Sequence, residues 1–152
     1  MSWLGKVTDD IGNIVTSLQY FDRELQDAKV EVRLSGNLER ASAAMPGLIE
    51  YRFNQLQELE AILEYLNIAL RKCRSKFYRK YLEGYQRALT SRDVEKYIDG
   101  EDEVVALMEL VNEVAFLRNQ YLGIMKALDN KQWQITNIVK LRTAGMEDIN
   151  LG

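Results

Sequence analysis

Histidine is absent from the 152-residue chain, which removes the commonest general base and a principal zinc ligand. A single cysteine, Cys73, excludes an internal disulfide and leaves any zinc site short of thiolates. A reducing cytoplasm is the expected compartment, and Cys73 reads as a small hydrophobe rather than a reactive thiol. The nine glycines never fall as GxGxxG or as GxxxxGK followed by Ser or Thr, so neither phosphate-cradling loop is encoded. No run of about 18 apolar residues occurs, and the opening "MSWLGKVTDDIGNIV" lacks the basic region and apolar run of a secretory signal. The expectation is a chain that neither spans a membrane nor leaves by that route.

What remains for catalysis is acidic. Glu58 with Glu60, and Glu101 with Asp102 and Glu103, are formally able to do acid–base work or hold a hard cation. They read instead as solvated helix faces and a charged helix start. No enzymatic activity, cofactor or metal is expected.

A composition 47% hydrophobic and 28% charged, with one proline, describes a folded helical protein of single-domain size. Its organisation reads as an N-terminal extension over 1–36 and a helical domain over 37–152. Within the extension, Val7, Ile11, Ile14, Val15, Leu18, Phe21 and Leu25 give patchy helical periodicity, weakened by Gly5 and Gly12. Ala28, Val30, Val32 and Leu34 then alternate with polar residues before Ser35-Gly36-Asn37, which predicts a short extended segment.

Pro46 marks the expected start of a long helix, because proline suits the first helical turn. Beyond it Leu56, Leu59, Leu63, Leu66, Leu70, Cys73 and Phe77 step by 3, 4, 3, 4, 3 and 4, the seam of a coiled-coil-like helix. Gly84 weakens or ends it, and "TSRDVEKYIDGEDE" reads as a short capped helix with a break at Asp99-Gly100. A second long helix follows, with Val104, Leu107, Met108, Val111, Val114, Ala115, Leu122, Met125 and Leu128 on its buried side. After "LDNKQ" a third, shorter helix carries Trp133, Ile135, Ile138, Val139 and Leu141. The predicted fold is all-α: a long antiparallel helical hairpin plus a short C-terminal helix, with the N-terminal extended arm. The apolar residues of the short helix read as ordinary core or, because two helices alone bury little, as a means of self-association.

The most unusual stretch is "RKCRSKFYRKYLEGYQR" at 71–87. It holds seven basic residues and one acid, a charge of +6 in a chain whose total is −3. On a helix Lys72, Lys76, Arg79 and Lys80 occupy adjoining rows and form a positive ridge. Such a ridge neutralises phosphates, and the interleaved Tyr78 and Tyr81 can stack on bases, the pairing of features used for single-stranded nucleic acid. The competing readings are a core role for Phe77 and Tyr81 with merely solubilising charges, and a helix lying on an anionic membrane.

In the order of its features the chain resembles the recombination mediator proteins of T4-like bacteriophages, UvsY. The resemblance covers roughly residues 30 to 146 and rests on "EVRLSGNLERA", "LRKCRSKFYRKYLEG", "TSRDVEKYIDGEDEVV" and "FLRNQYLGIMKALDNKQWQITNIVKLRTAG". It implies a non-enzymatic, helical, ring-forming homo-oligomer in the cytoplasm of an infected host. That protein binds single-stranded DNA and loads the phage recombinase in place of the single-strand-binding protein during recombination and repair. The resemblance maps nucleic-acid binding onto Lys72, Arg74, Lys76, Arg79 and Lys80, and oligomerisation onto Trp133, Ile135, Ile138, Val139 and Leu141; the reading of the residues themselves adds Arg71, Tyr78, Tyr81 and Arg87 to the first set and Leu128 to the second. The chain departs from the pattern in its extra N-terminal segment of about 30 residues and in Tyr78, where another basic residue is expected. The alternative is a non-enzymatic helical scaffold or adaptor with a coiled-coil seam and a basic protein-binding patch.

Overall fold

The computed structural model describes residues 2–84 and 89–145. Among them the chain is all-helical: α1 (Trp3–Asp9), a 3-10 turn (Ile11–Asn13), α2 (Ile14–Glu31), α3 (Leu38–Gly84), α4 (Ser91–Asp99) and α5 (Asp102–Thr143). No strand occurs among the described residues. None of the helices there is long and apolar enough to cross a membrane.

The extended arm expected from Ala28 to Leu34 is a correction. Ala28, Val30 and Glu31 belong to α2, and only the short link to Leu38 is non-helical. The reason is a contest of periods. Ile14, Ser17, Phe21, Leu25 and Ala28 are buried at steps of three and four, so Ala28 completes a helical face while Val30 points to solvent.

Pro46 lies inside α3 rather than at its start. The helix begins eight residues earlier, where the Asn37 side chain accepts a hydrogen bond from the Arg40 backbone N–H at 3.1 Å. An internal proline costs a helix about 3 kcal/mol, and the neighbouring Met45, fully buried, is part of what offsets that cost.

The third short helix is also a correction, because α5 continues unbroken through Asp129-Asn130 to Thr143. Those two residues lower helix propensity by only a few tenths of a kcal/mol each. Leu128 and Ile135, buried on either side of them, hold the register. The buried row of α5 includes Leu117, Tyr121 and Ile124, which the pattern had not marked, whereas Met108 and Leu122 face solvent.

The molecule divides into two compact units. The first is Met1–Glu58 with Leu117–Gly152, and the second is Leu59–Phe116. In the first, α2 is tied to α5 by two bonds between residues 100 apart in sequence. Tyr121 Oη donates to the Phe21 carbonyl at 2.8 Å, and Lys131 Nζ donates to the Glu31 carbonyl at 2.7 Å. The second caps the end of α2, where a cation complements the helix dipole. Burial pushes the Tyr121 hydroxyl well above its ordinary value, so it remains a donor. An aromatic chain from Trp3 through Tyr20 and Phe21 to Tyr121 packs the same core. Arg52, 2% exposed, lies within it.

In the second unit Cys73, Phe77 and Tyr81 of α3 pack with Val94 and Ile98 of α4 and Val104 of α5, flanked by Leu70, Leu89 and Leu107. α4 starts at a Thr90 cap, whose hydroxyl accepts from the Asp93 N–H at 3.2 Å, and stops at Gly100. All seven seam positions from Leu56 to Phe77 are buried or half-buried. The heptad row therefore leaves Lys72, Lys76 and Arg79 turned away from it on α3, whereas Arg74 stays near its edge.

Candidate nucleic-acid interface

Lys72, Ser75, Lys76 and Arg79 line one open pocket of about 310 Å³ in the second unit. Their spacing of three, four and seven puts them on one face of α3, roughly opposite Cys73, Phe77 and Tyr81. Among the described residues Lys72 and Arg79 make no ion pair. Lys76 pairs with Glu103 of α5 at 2.8 Å, with 60% and 55% of the two side chains exposed. That hydrogen bond, against a smaller desolvation effect, raises the ammonium of Lys76 and lowers the carboxyl of Glu103, so both are charged at neutral pH. Lys76 and Lys80 both sit over the Phe77 ring, at 4.9 and 5.5 Å from its centroid.

The other residues of the expected binding set divide among different surroundings. Arg74 and Tyr78 line a second open pocket with Ser75, Glu95 and Ile98, and Arg74 pairs with Asp99 at 2.8 Å. Arg71 pairs with Glu64 at 3.3 Å on the exposed face of α3. Tyr78 is exposed and available for stacking. Tyr81 is not: it is 8% exposed, its ring stacks on Tyr97 with centroids 5.5 Å apart, and its hydroxyl hydrogen-bonds the Glu101 carboxylate. Arg87 lies outside the described residues. Cys73 is buried, and burial, with Glu103 nearby, pushes its thiol up, which suits a core side chain rather than a nucleophile.

The chain matches no family model, no curated protein and no solved structure. The reading of this face therefore rests on its own geometry.

Two features of the site were missed in the sequence. Ser75 supplies a hydroxyl between the cations of the ridge. Asp99 and Glu103 reach basic residues 25 and 27 positions away, a separation that no local pattern signals.

The expected oligomerisation residues also divide. Leu128, Ile135 and Ile138 are buried within the chain, whereas Trp133, Val139 and Leu141 are exposed. The three exposed ones do not share a single helical face, since their steps of six and two turn them well apart around α5.

Proposed function

We propose that the protein is a non-enzymatic mediator of recombination that binds single-stranded DNA along α3 and assembles as a ring-like homo-oligomer of helical hairpins. In this reading it promotes loading of a recombinase in place of a single-strand-binding protein. The observation that carries the DNA-binding step is the face formed by Lys72, Ser75, Lys76 and Arg79, an open, cation-lined surface on the side of α3 away from its core. Recombination itself rests on the resemblance in the order of sequence features. Repetition of a modest site around an oligomer gives tight binding through effective concentration, without a strong site on any one subunit.

The test is fluorescence anisotropy of a labelled single-stranded oligonucleotide at two salt concentrations, with a duplex competitor. About five phosphates contacted per protomer, at about 0.7 per phosphate for single strands, give a log–log salt slope near −3.5. Binding that ignores salt, or prefers duplex, rejects the proposal.

Assembly has its own test. Val139→Asp alters an exposed position of α5 and is expected to lower the mass in solution while leaving the helical signal intact, read by light scattering and circular dichroism. An unaltered mass removes this part of α5 from assembly. Ile138→Asp is a poorer probe, since Ile138 is buried within the chain and its loss would unfold the core.

A second reading is favoured by the large apolar side chains that α5 exposes, Trp133 at 66% and Phe116 at 67%. They suit a scaffold or adaptor, in which the basic face meets acidic protein. Absence of DNA binding at low salt makes this reading lead.

A further inference from the structure

We infer that Glu103 is an internal competitor for phosphate at the basic face, so that a nucleic-acid strand engages Lys76 by displacing the protein's own carboxylate. The inference rests on the DNA-binding reading above and adds a regulatory element to it. Three cations line the pocket, and two of them, Lys72 and Arg79, make no ion pair among the described residues. The third, Lys76, is held at 2.8 Å by Glu103. A lysine ammonium is a compact point charge that donates to carboxylate and phosphate oxygens alike, so the two anions compete for the same donor.

The geometry permits exchange. More than half of each partner is exposed, water reaches both, and exposed pairs of this kind are weak and screened by salt. The Lys76 ammonium lies 4.9 Å from the centroid of the Phe77 ring, a cation–π contact that helps keep it near the pocket when the carboxylate leaves. Glu103 sits in the first turn of α5, where the helix dipole stabilises its freed charge. Asp99 holds Arg74 at 2.8 Å on the neighbouring flank in the same manner. A carboxylate in this position discriminates among anions. One isolated phosphate gains little by displacing it, whereas a strand already anchored at Lys72 and Arg79 presents its next phosphate at high effective concentration.

The experiment measures binding of a single-stranded oligonucleotide of about eight nucleotides, within the range that one small binding site covers. A cycle of four versions of the 152-residue chain is compared first: wild type, Glu103→Gln, Lys76→Ala and the double variant. Glu103→Gln is expected to bind about two- to fivefold tighter than wild type, the range for releasing one exposed ion pair. In the Lys76→Ala background the same change is expected to give no gain. Glu109→Gln, which removes an equal charge from α5 at a site with no ion pair among the described residues, controls for net charge and should leave affinity unchanged. Glu103→Ala should reproduce the sign of the glutamine variant.

Equal affinity of wild type and Glu103→Gln overturns the inference and leaves the proposed function standing. So does a gain that persists without Lys76 or that Glu109→Gln reproduces. If none of the proteins binds the strand, the function and the inference fall together.

Discussion

Arg52→Ala is expected to destabilise the protein by about 3–5 kcal/mol, the cost of breaking a buried charge network by removing one partner. Arg52 is 2% exposed, and each of its three guanidinium nitrogens donates a hydrogen bond. Its Nη1 donates to Glu24 at 2.7 Å and to Gln55 at 2.9 Å, its Nε donates to Glu31 at 2.9 Å, and its Nη2 completes the fork on Glu31. Truncation leaves two carboxylates of α2 facing a cavity with no cation between them. Equilibrium denaturation of the variant measures the loss, and a drop below 1 kcal/mol would mean that the network contributes no more than a surface pair. Replacing all three charged residues by apolar ones of similar volume should recover most of it, because the desolvation cost of the charges disappears together with their attraction.

The same network sets a pH dependence that weakens in the variant. Burial pushes the Glu24 carboxyl up, but hydrogen bonds from Arg52 and Gln55 and the guanidinium charge more than offset it and hold the group below the usual carboxylate range. A carboxyl lowered in the folded state contributes stability above its unfolded value, about 4.3, and loses it as pH falls through the folded value. Without Arg52, its hydrogen bond and its charge no longer hold the carboxyl down, and the folded value moves back up toward the unfolded one. At this group the variant then loses less stability than the wild type as pH falls. Denaturant midpoints between pH 7 and 3 should therefore diverge least at the acid end.

Arg52 also shows what was legible and what was not. The seam from Leu56 to Phe77 was readable because one heptad row repeats without interruption, and each member is buried or half-buried. Continued backward by four, that row lands on Arg52, and a charged residue in seam register was the available signal of a buried cation. Its partners were not readable, since Glu24 and Glu31 lie 28 and 21 residues away on another helix. The extended arm failed for a different reason: Ala28 fits both the four-residue alternation and the longer three-four row through Phe21 and Leu25, and burial follows the row. The break expected near "LDNKQ" gave weight to weak local propensities that buried neighbours override.

At the basic face, the cations Lys72, Lys76 and Arg79 were legible as a ridge because helical spacing alone sets rows. Tyr81 was ambiguous, since a residue four positions after Phe77 falls equally on the seam and beside the basic run. Packing against Val94, Ile98 and Tyr97 decides for the core. The counter-charges were hidden by sequence distance, so a stretch of +6 overstates the field that this surface presents.

Replacing Lys72, Lys76 and Arg79 together with alanine is the change expected to have the largest effect on binding. Each phosphate contact in a single strand contributes about 0.7 to the log–log salt slope, so three lost contacts should flatten a slope near −3.5 to about −1.4. Referred to molar salt, the electrostatic loss is then roughly 500-fold at 50 mM salt and roughly 30-fold at 200 mM. This dependence on salt is the diagnostic part. A variant that lost binding through misfolding would lose it equally at both concentrations, whereas removal of phosphate contacts must hurt most where salt is low. Folding should be spared, because these side chains line an open pocket on the side of α3 away from Cys73, Phe77 and Tyr81. Surface changes of this kind rarely move stability far, and alanine is the best helix former. Retained helical signal and thermal midpoint with a flattened slope would place the phosphate contacts at these three residues. An unchanged slope would move them to Arg71, Arg74 and Lys80, where acidic or aromatic neighbours already engage each cation.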